Sequence, residues 1–491
     1  MNFGIIFRLL GVIVFTLAIA FLICFGVGFV PSPIPGEGEA RIKFLLCAVI
    51  ALILAASLFL LGRNSSHRLF RKEALCVIGL GWLFASAVGA LPYVIIENEV
   101  GFVDGFFEAA SGLTTTGASI FPDVEIMPRC LLFWRALSQW LGGMGVVVFF
   151  VAILGFLGAG AKILYSKEAS GSTADFEQPR VQSAVLNLWL VYLGLSLACL
   201  LVFVLGGMST YDGLCHMFAA VSTGGFSTRN ASLAAFESPF LEWATSLFMT
   251  LGGTSFLLLA VVVRGRFQAL RRNSEFCAYL LILFGASAAI AQILLTSGLS
   301  EDIHSSVRSA VFQVVSIMTT TGFATADFDR WPTLPKVLLL VLMAIGGCSA
   351  STGGGVKVAR IVMAIRVLLR SVELQFRPNV VRRIHMNGKP VENETTSDVM
   401  VFLVLVGILC LMAVPLAAVF EPSLSLEATL SSVFACLFNI GPGFGEVGPT
   451  RNFSGLHDYT KVFLAMLMIM GRLELYAILV LFSPSLWRTF R

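Results

Sequence analysis

The sequence predicts an all-α polytopic membrane protein. Two N-terminal helices precede four pseudo-fourfold repeats of helix, half-helix, glycine turn and helix, with about ten transmembrane spans in all. Three observations carry this reading. The 491 residues are 57% hydrophobic and 13% charged, with a mean hydropathy of +0.89. Apolar runs long enough to cross a bilayer recur along the whole chain. A short motif rich in Thr, Ser and Gly recurs too, each time after an apolar stretch too short to span.

Soluble domains average about 45–50% apolar and about 25% charged residues. A chain this apolar cannot hide its surface in a water-facing globule, which excludes a soluble enzyme and a DNA-binding domain. A transmembrane β-barrel would alternate in short segments, so it is excluded as well. The ten cysteines are scattered, form no C-x-x-C and lie almost all in apolar runs, as small buried hydrophobes do. The five histidines show no metal-ligand spacing. No Ser/His/Asp order suggests an enzyme, and no pattern points to a bound cofactor.

In chain order, the spans fall near 5–30, 43–62, 74–96, 131–160, 184–207, 241–263, 276–297, 334–369, 398–420 and 460–482. The first run is too long for a signal-peptide core, and no A-x-A site follows it. Residues 1–70 form a two-helix extension. Repeats are expected at 71–165, 180–272, 273–390 and 391–491. With both termini cytoplasmic, the inner segments hold 22 Lys/Arg and the outer segments 10, and Arg472 lies within the last span. That bias obeys the positive-inside rule. The basic stretch from Lys357 to Lys389 fits the same rule, and also fits docking of a cytosolic partner or anionic lipid.

Each repeat carries its motif between two spans. The first is Thr114-Thr115-Thr116-Gly117, the second Ser222-Thr223-Gly224-Gly225, the third Thr319-Thr320-Thr321-Gly322 and the fourth Asn439-Ile440-Gly441-Pro442-Gly443. Aligned on Gly117, Gly224, Gly322 and Gly441, the motifs lie 107, 98 and 119 residues apart. Extended backbone at membrane depth is tolerated only where it lines a water-filled path or is buried in protein. Four such segments around one axis would present rings of carbonyls, which replace the hydration shell of a potassium ion. Glycine allows the positive φ that turns successive carbonyls one way. The half-helices would run inward and aim their negative ends at the pore, which favours a cation.

On these motifs the chain resembles the membrane, pore-forming subunit of the Trk/Ktr/HKT superfamily of potassium transporters. It is most similar to the bacterial Trk type, which has two helices ahead of its repeats. The resemblance implies potassium uptake across a bacterial inner membrane. It implies filter glycines at Gly117, Gly224, Gly322 and Gly441. Potassium would be coordinated at the two residues before each: Thr115 and Thr116, Ser222 and Thr223, Thr320 and Thr321, Asn439 and Ile440. It further implies a homodimer working with a peripheral cytosolic subunit that binds nucleotides, no cofactor on this chain, and no nucleic acid as partner. Channel and proton- or sodium-coupled symport both fit. A sodium-dependent or less selective cation transporter is the alternative in class; a non-conducting receptor or scaffold is the alternative outside it.

Two further features stand out. The span at 334–369 contains Gly346, Gly347, Gly353, Gly354 and Gly355, five glycines in ten residues. At about 1 kcal/mol each against Ala, they should break the helix at mid-membrane. No Gly-Lys-Ser/Thr or G-x-G-x-x-G occurs there, so it is not a nucleotide loop. Arg472 lies inside the last span, where an unpaired cation costs about 2.5–3.5 kcal/mol. Glu474 is too close in sequence to face it. The resembling family has an intramembrane loop and an arginine in these places. The expectation is a gate below the filter, made of the 346–355 loop and Arg472, with the arginine bonding loop carbonyls.

Overall fold

The computed structural model describes residues 1–30, 36–65, 71–97, 99–145, 181–299, 302–380 and 383–487. The described residues are mostly helical, and their only sheet pairs two short strands, His385–Met386 against Lys389–Pro390. Six helices are long and apolar enough to cross a membrane, or eight if two sharply bent pairs each count as one span. The two remaining expected spans are accounted for differently. The 131–160 span is described only to residue 145, so its second half and the inner segment expected at 161–183 lie largely outside the described residues. The 334–369 span is divided by its glycines into Thr333–Ile345 and Val358–Phe376.

The N-terminal helices, Phe3–Val27 and Glu37–Leu61, pack face to face. A stripe of Ala48, Ala51 and Ala55 lets the backbones approach, and Gly11 sits against the Ala55 carbonyl. Glu37 ties this pair to the rest: its carboxylate accepts the backbone N–H of Arg129 at 2.7 Å and of Cys130 at 3.0 Å. Those N–H groups have no intrahelical partner at the start of the Arg129–Trp140 helix, so an acidic side chain 92 residues away caps it.

The same three-part pattern then recurs. First helices run Arg71–Gly89, Val181–Leu205, Ser274–Thr296 and Asn393–Phe420. Half-helices run Phe102–Leu113, Thr210–Val221, Ile303–Met318 and Leu426–Leu437. Ser209, Asp302 and Ser425 cap the last three by accepting a backbone N–H of the first turn. Leu190, Leu201, Leu281, Phe284 and Leu411 stay exposed on the long helices, as a lipid-facing surface requires. The half-helices are buried inside this ring, and polar side chains collect around them.

Candidate functional site

Each half-helix ends in the same backbone device. A bond from an N–H to the carbonyl five residues before it recurs four times at one length: Thr116 to Ser111, Gly224 to Ala219, Thr321 to Ser316 and Ile440 to Ala435, each 2.8 Å. The residue before each donor is left-handed: Thr115 at φ 54°, Thr223 at 54°, Thr320 at 59° and Asn439 at 57°. A β-branched residue held there costs about 1–3 kcal/mol. The residue after each donor is a left-handed glycine: Gly117 at 84°, Gly225 at 80°, Gly322 at 83° and Gly441 at 103°.

This corrects the sequence alignment by one residue in the second segment. Gly225, not Gly224, is the counterpart of Gly117, Gly322 and Gly441. Gly224 takes the place of Thr116, Thr321 and Ile440, and Ser222 takes that of Thr114 and Thr319. Two adjacent glycines hid the register, because only backbone conformation separates their roles.

The four segments close on one another. A Cβ on Gly117 would overlap the Gly224 carbonyl oxygen; on Gly225, that of Thr321; on Gly322, that of Ile440; on Gly441, that of Thr116. Each glycine therefore makes room for the carbonyl of the next segment, and the fourth returns to the first. Hydroxyls stack beneath: Thr114 and Thr116 share a 2.7 Å hydrogen bond, and Thr319 and Thr321 share another of 2.7 Å. In the fourth segment Asn439 Nδ2 donates to Thr116 Oγ1 and to the Met468 carbonyl, both at 2.9 Å.

A buried ion pair braces this ring from behind. Arg135 Nε meets Glu108 Oε1 at 2.8 Å, and both side chains are sealed from solvent. Arg135 also donates to Ser119 Oγ and to the Ser227 carbonyl, and its guanidinium lies 4.2 Å over the Phe226 ring. Glu108 accepts the Ile120 N–H at 2.9 Å. Lys461 Nζ reaches Asp104 at 2.6 Å and joins the last long helix to the first half-helix.

Below the ring the second, third and fourth of the second helices break, and the first changes its winding at the end of its described residues. Arg129–Trp140 passes into five residues of π-helix at Gly142-Gly143. Pro239–Gly252 bends by 103° into Phe256–Val263 across residues 253–255, which begin at the second glycine of Gly252-Gly253. Thr333–Ile345 stops at Gly346-Gly347. Asp458–Arg472 bends by 114° into Tyr476–Phe482 across residues 473–475, just after Gly471-Arg472. The second and fourth, expected as continuous spans, are thus divided, while the span expected at 131–160 is described only to residue 145. The signal was a second repeat, Leu-Gly-Gly, Leu-Gly-Gly, Ile-Gly-Gly and Met-Gly-Arg, in which Arg472 stands where the others carry a second glycine.

The 346–355 loop is a bonded structure under the ring. Its neck closes through Val356 N–H to the Ala344 carbonyl at 3.1 Å and Lys357 N–H to that of Ile345 at 2.9 Å. Gly346 and Gly355, both at φ 77°, allow the two strands of the neck to touch. Thr352 Oγ1 donates to the Val221 carbonyl at 3.1 Å, and Gly354 N–H donates to Thr320 Oγ1 at 2.6 Å. Gly347 and Gly353 lie against the carbonyls of Gly253 and Thr319. Lys357 Nζ folds back onto the Gly353 carbonyl. Glu275 accepts Ser349 N–H at 2.5 Å and Ala359 N–H at 3.2 Å.

Arg472 reaches the loop and the first repeat's second helix. Nη1 donates to the Thr352 carbonyl at 2.6 Å, and Nη2 to those of Gly142 and Gly143 at 2.7 and 2.9 Å. Glu474 faces elsewhere and pairs with Arg360 at 2.6 Å.

A family model described as "TrkH: Cation transport protein" matches residues 40–489. The chain belongs to the TrkH family of cation transport proteins. It is similar to the Trk system potassium uptake protein TrkH of Escherichia coli (strain K12), 34% identical over 456 residues that cover 92% of this chain and 93% of that one. It is also similar to the Trk system potassium uptake protein TrkI of Halomonas elongata, 34% identical over 83% of this chain and 82% of that one. Among solved structures, the crystal structure of the potassium transporter TrkH from Vibrio parahaemolyticus superposes with a TM-score of 0.88. It shares 30% sequence identity over 99% of this chain and 100% of that one. TrkH membership makes this a multi-pass transport protein rather than an enzyme.

Proposed function

We propose that this protein takes up potassium across a bacterial inner membrane through a single pathway lined by its four glycine segments. The observation that carries the reading is the closed ring in which Gly117, Gly225, Gly322 and Gly441 each make room for a neighbouring carbonyl. Alternating left-handed residues at 115/117, 223/225, 320/322 and 439/441 turn successive carbonyls toward a common axis. There they replace water around a dehydrating cation. Potassium is held by the carbonyls of Thr115 and Thr116, Thr223 and Gly224, Thr320 and Thr321, and Asn439 and Ile440. Asn439 Oδ1 is buried with no hydrogen-bond partner among the described residues, which leaves an acceptor for a cation.

The 346–355 loop and Arg472 close the path below. Loop backbone fills the space under the second, third and fourth segments, and the guanidinium places positive charge where a cation would leave. Opening breaks the Arg472 bonds to Thr352, Gly142 and Gly143. The four units 71–165, 180–272, 273–390 and 391–491 act as quarters of one pore. Both termini are cytoplasmic, and a homodimer works with a soluble nucleotide-binding subunit docked on the basic inner segments. Potassium-limited growth of a transporter-deficient strain, followed by potassium and sodium flux in proteoliposomes, tests the reading. Complementation with potassium-selective flux supports it. Selective sodium flux favours the alternative cation, and no flux from folded protein favours a non-conducting role.

A further inference from the structure

The second segment differs from the other three at one place. Where they carry the side chains of Thr116, Thr321 and Ile440, it has Gly224, whose φ is not in the left-handed region. Conformation therefore does not demand glycine there. Space does: a Cβ on Gly224 would overlap the side-chain amide of Gln139. Gln139 comes from the second helix of the preceding repeat and is fully buried. Its Nε2 donates to the Gly224 carbonyl at 2.6 Å, and its Oε1 accepts the Phe226 N–H at 3.0 Å.

The second helices show the matching difference. Gln139 lies three residues ahead of Gly142. At the same offset from Gly252, Gly346 and Gly471 stand Met249, Met343 and Met468, and all four side chains are fully buried. Three repeats thus pair a methionine helix position with a side chain in the ring, and one pairs a glutamine with a glycine.

We propose that Gln139 is a specificity-determining residue: its amide stands in for the side chain missing at Gly224 and holds one carbonyl of the ring from behind. The proposal rests on the reading of the four segments as a potassium filter. Among the described residues, the carbonyls of Thr116, Thr321 and Ile440 accept no hydrogen bond, whereas that of Gly224 does. The bond fixes the direction of the Gly224 carbonyl and draws on its lone pair, so it pulls less strongly on a cation. A weaker ligand field favours the larger, less tightly hydrated potassium ion over sodium. Methionine offers no donor, so Gln139→Met frees this carbonyl and leaves the Phe226 N–H unpaired.

The test is a double-mutant cycle read as the potassium-to-sodium permeability ratio, from reversal potentials of the purified protein in bilayers. Gln139→Met and Gly224→Thr should each lower the ratio by a factor of about three to ten, the range one hydrogen bond is worth. The double variant restores the pairing of the other three repeats and should return to within about twofold of the parent. A role confined to folding would lower yield or melting temperature without moving the ratio of the molecules that conduct. If Gly224→Thr folds only together with Gln139→Met, that rescue supports the pairing. If Gln139→Met conducts with the parental ratio, the proposal is overturned. Gly322→Ser is measured alongside: if it shifts the ratio and Gln139→Met does not, the filter reading stands and this inference fails. If neither shifts it, the filter reading has failed first.

Discussion

The backbone N–H of Gly354 donates to Oγ1 of Thr320 at 2.6 Å. One partner belongs to the intramembrane loop and the other is the left-handed threonine of the third segment. The loop and the third glycine segment are therefore joined directly, beside the Thr352 bond to the Val221 carbonyl, rather than stacked as separate parts. Thr320→Val keeps the β-branch and removes the acceptor, leaving a buried N–H unpaired at a cost of about 1–3 kcal/mol. We expect the closed loop to loosen and potassium flux per molecule in liposomes to rise several-fold. Unchanged flux, with the selectivity ratio intact, would show that the loop does not feel this bond.

Arg472 holds three carbonyls, those of Thr352, Gly142 and Gly143. Arg472→Ala removes these bonds and the positive charge together. If only about 1.5 kcal/mol of closed-state stability is lost, flux rises about tenfold. Shortening the loop within 347–354 should also raise flux. The double change should give less than the sum, because both remove the Arg472–Thr352 contact. Monodisperse purification controls for folding, and well-folded variants no faster than the parent would remove the loop and Arg472 from the gate.

Gly117 and Gly225 test the ring itself. Gly117→Ser puts a Cβ and hydroxyl against the Gly224 carbonyl, so more sodium should pass relative to potassium. Gly225→Ala meets the Thr321 carbonyl in a left-handed conformation, while Gly224→Ala meets a side chain that can move. Potassium uptake in growth assays should therefore suffer more from Gly225→Ala than from Gly224→Ala. The reverse order would restore the alignment on Gly224.

The Glu108–Arg135 pair makes a stability prediction. Breaking one partner of a sealed ion pair typically costs about 3–5 kcal/mol, because the other charge is left buried. Glu108→Gln and Arg135→Met should each lower the melting temperature of the purified protein sharply. Glu108→Leu combined with Arg135→Met should recover much of the loss. Melting curves in one detergent decide it, and single variants as stable as the parent would show that the pair is not sealed.

Some of this was legible in the sequence for a simple reason: membranes make exceptions visible. Five glycines in ten residues and one arginine in an apolar span have no cheap lipid-facing solution, so residues 346–355 and Arg472 stand out in the sequence. The four Thr/Gly segments stood out because each follows a half-length helix. What stayed hidden depends on backbone angles or distant partners. The roles of Gly224 and Gly225 differ only in φ and in what lies behind them. The π-helical turn at Gly142-Gly143 and the break that begins at Gly253 escaped because a pair of glycines inside a long apolar run also fits ordinary helix packing. Arg135 and Glu108 are 27 residues apart in different elements, and nothing in their spacing announces a contact. Glu474 finds Arg360 across 114 residues, a pairing only the folded chain reveals.

The arginine at the fourth helix break has a consequence for why the four units share one polypeptide. In a pore assembled from four identical chains, every substitution arrives in quadruplicate. Four guanidinium groups would then crowd together beneath the four segments and repel one another. Covalent fusion removes that constraint. Three copies keep a glycine, each pressed closely by a neighbouring segment, and the fourth alone takes up a charge. The same freedom lets a single copy lengthen its break into a loop. Linking the units end to end thus turns a symmetric ring into a set of specialised parts that can diverge one at a time.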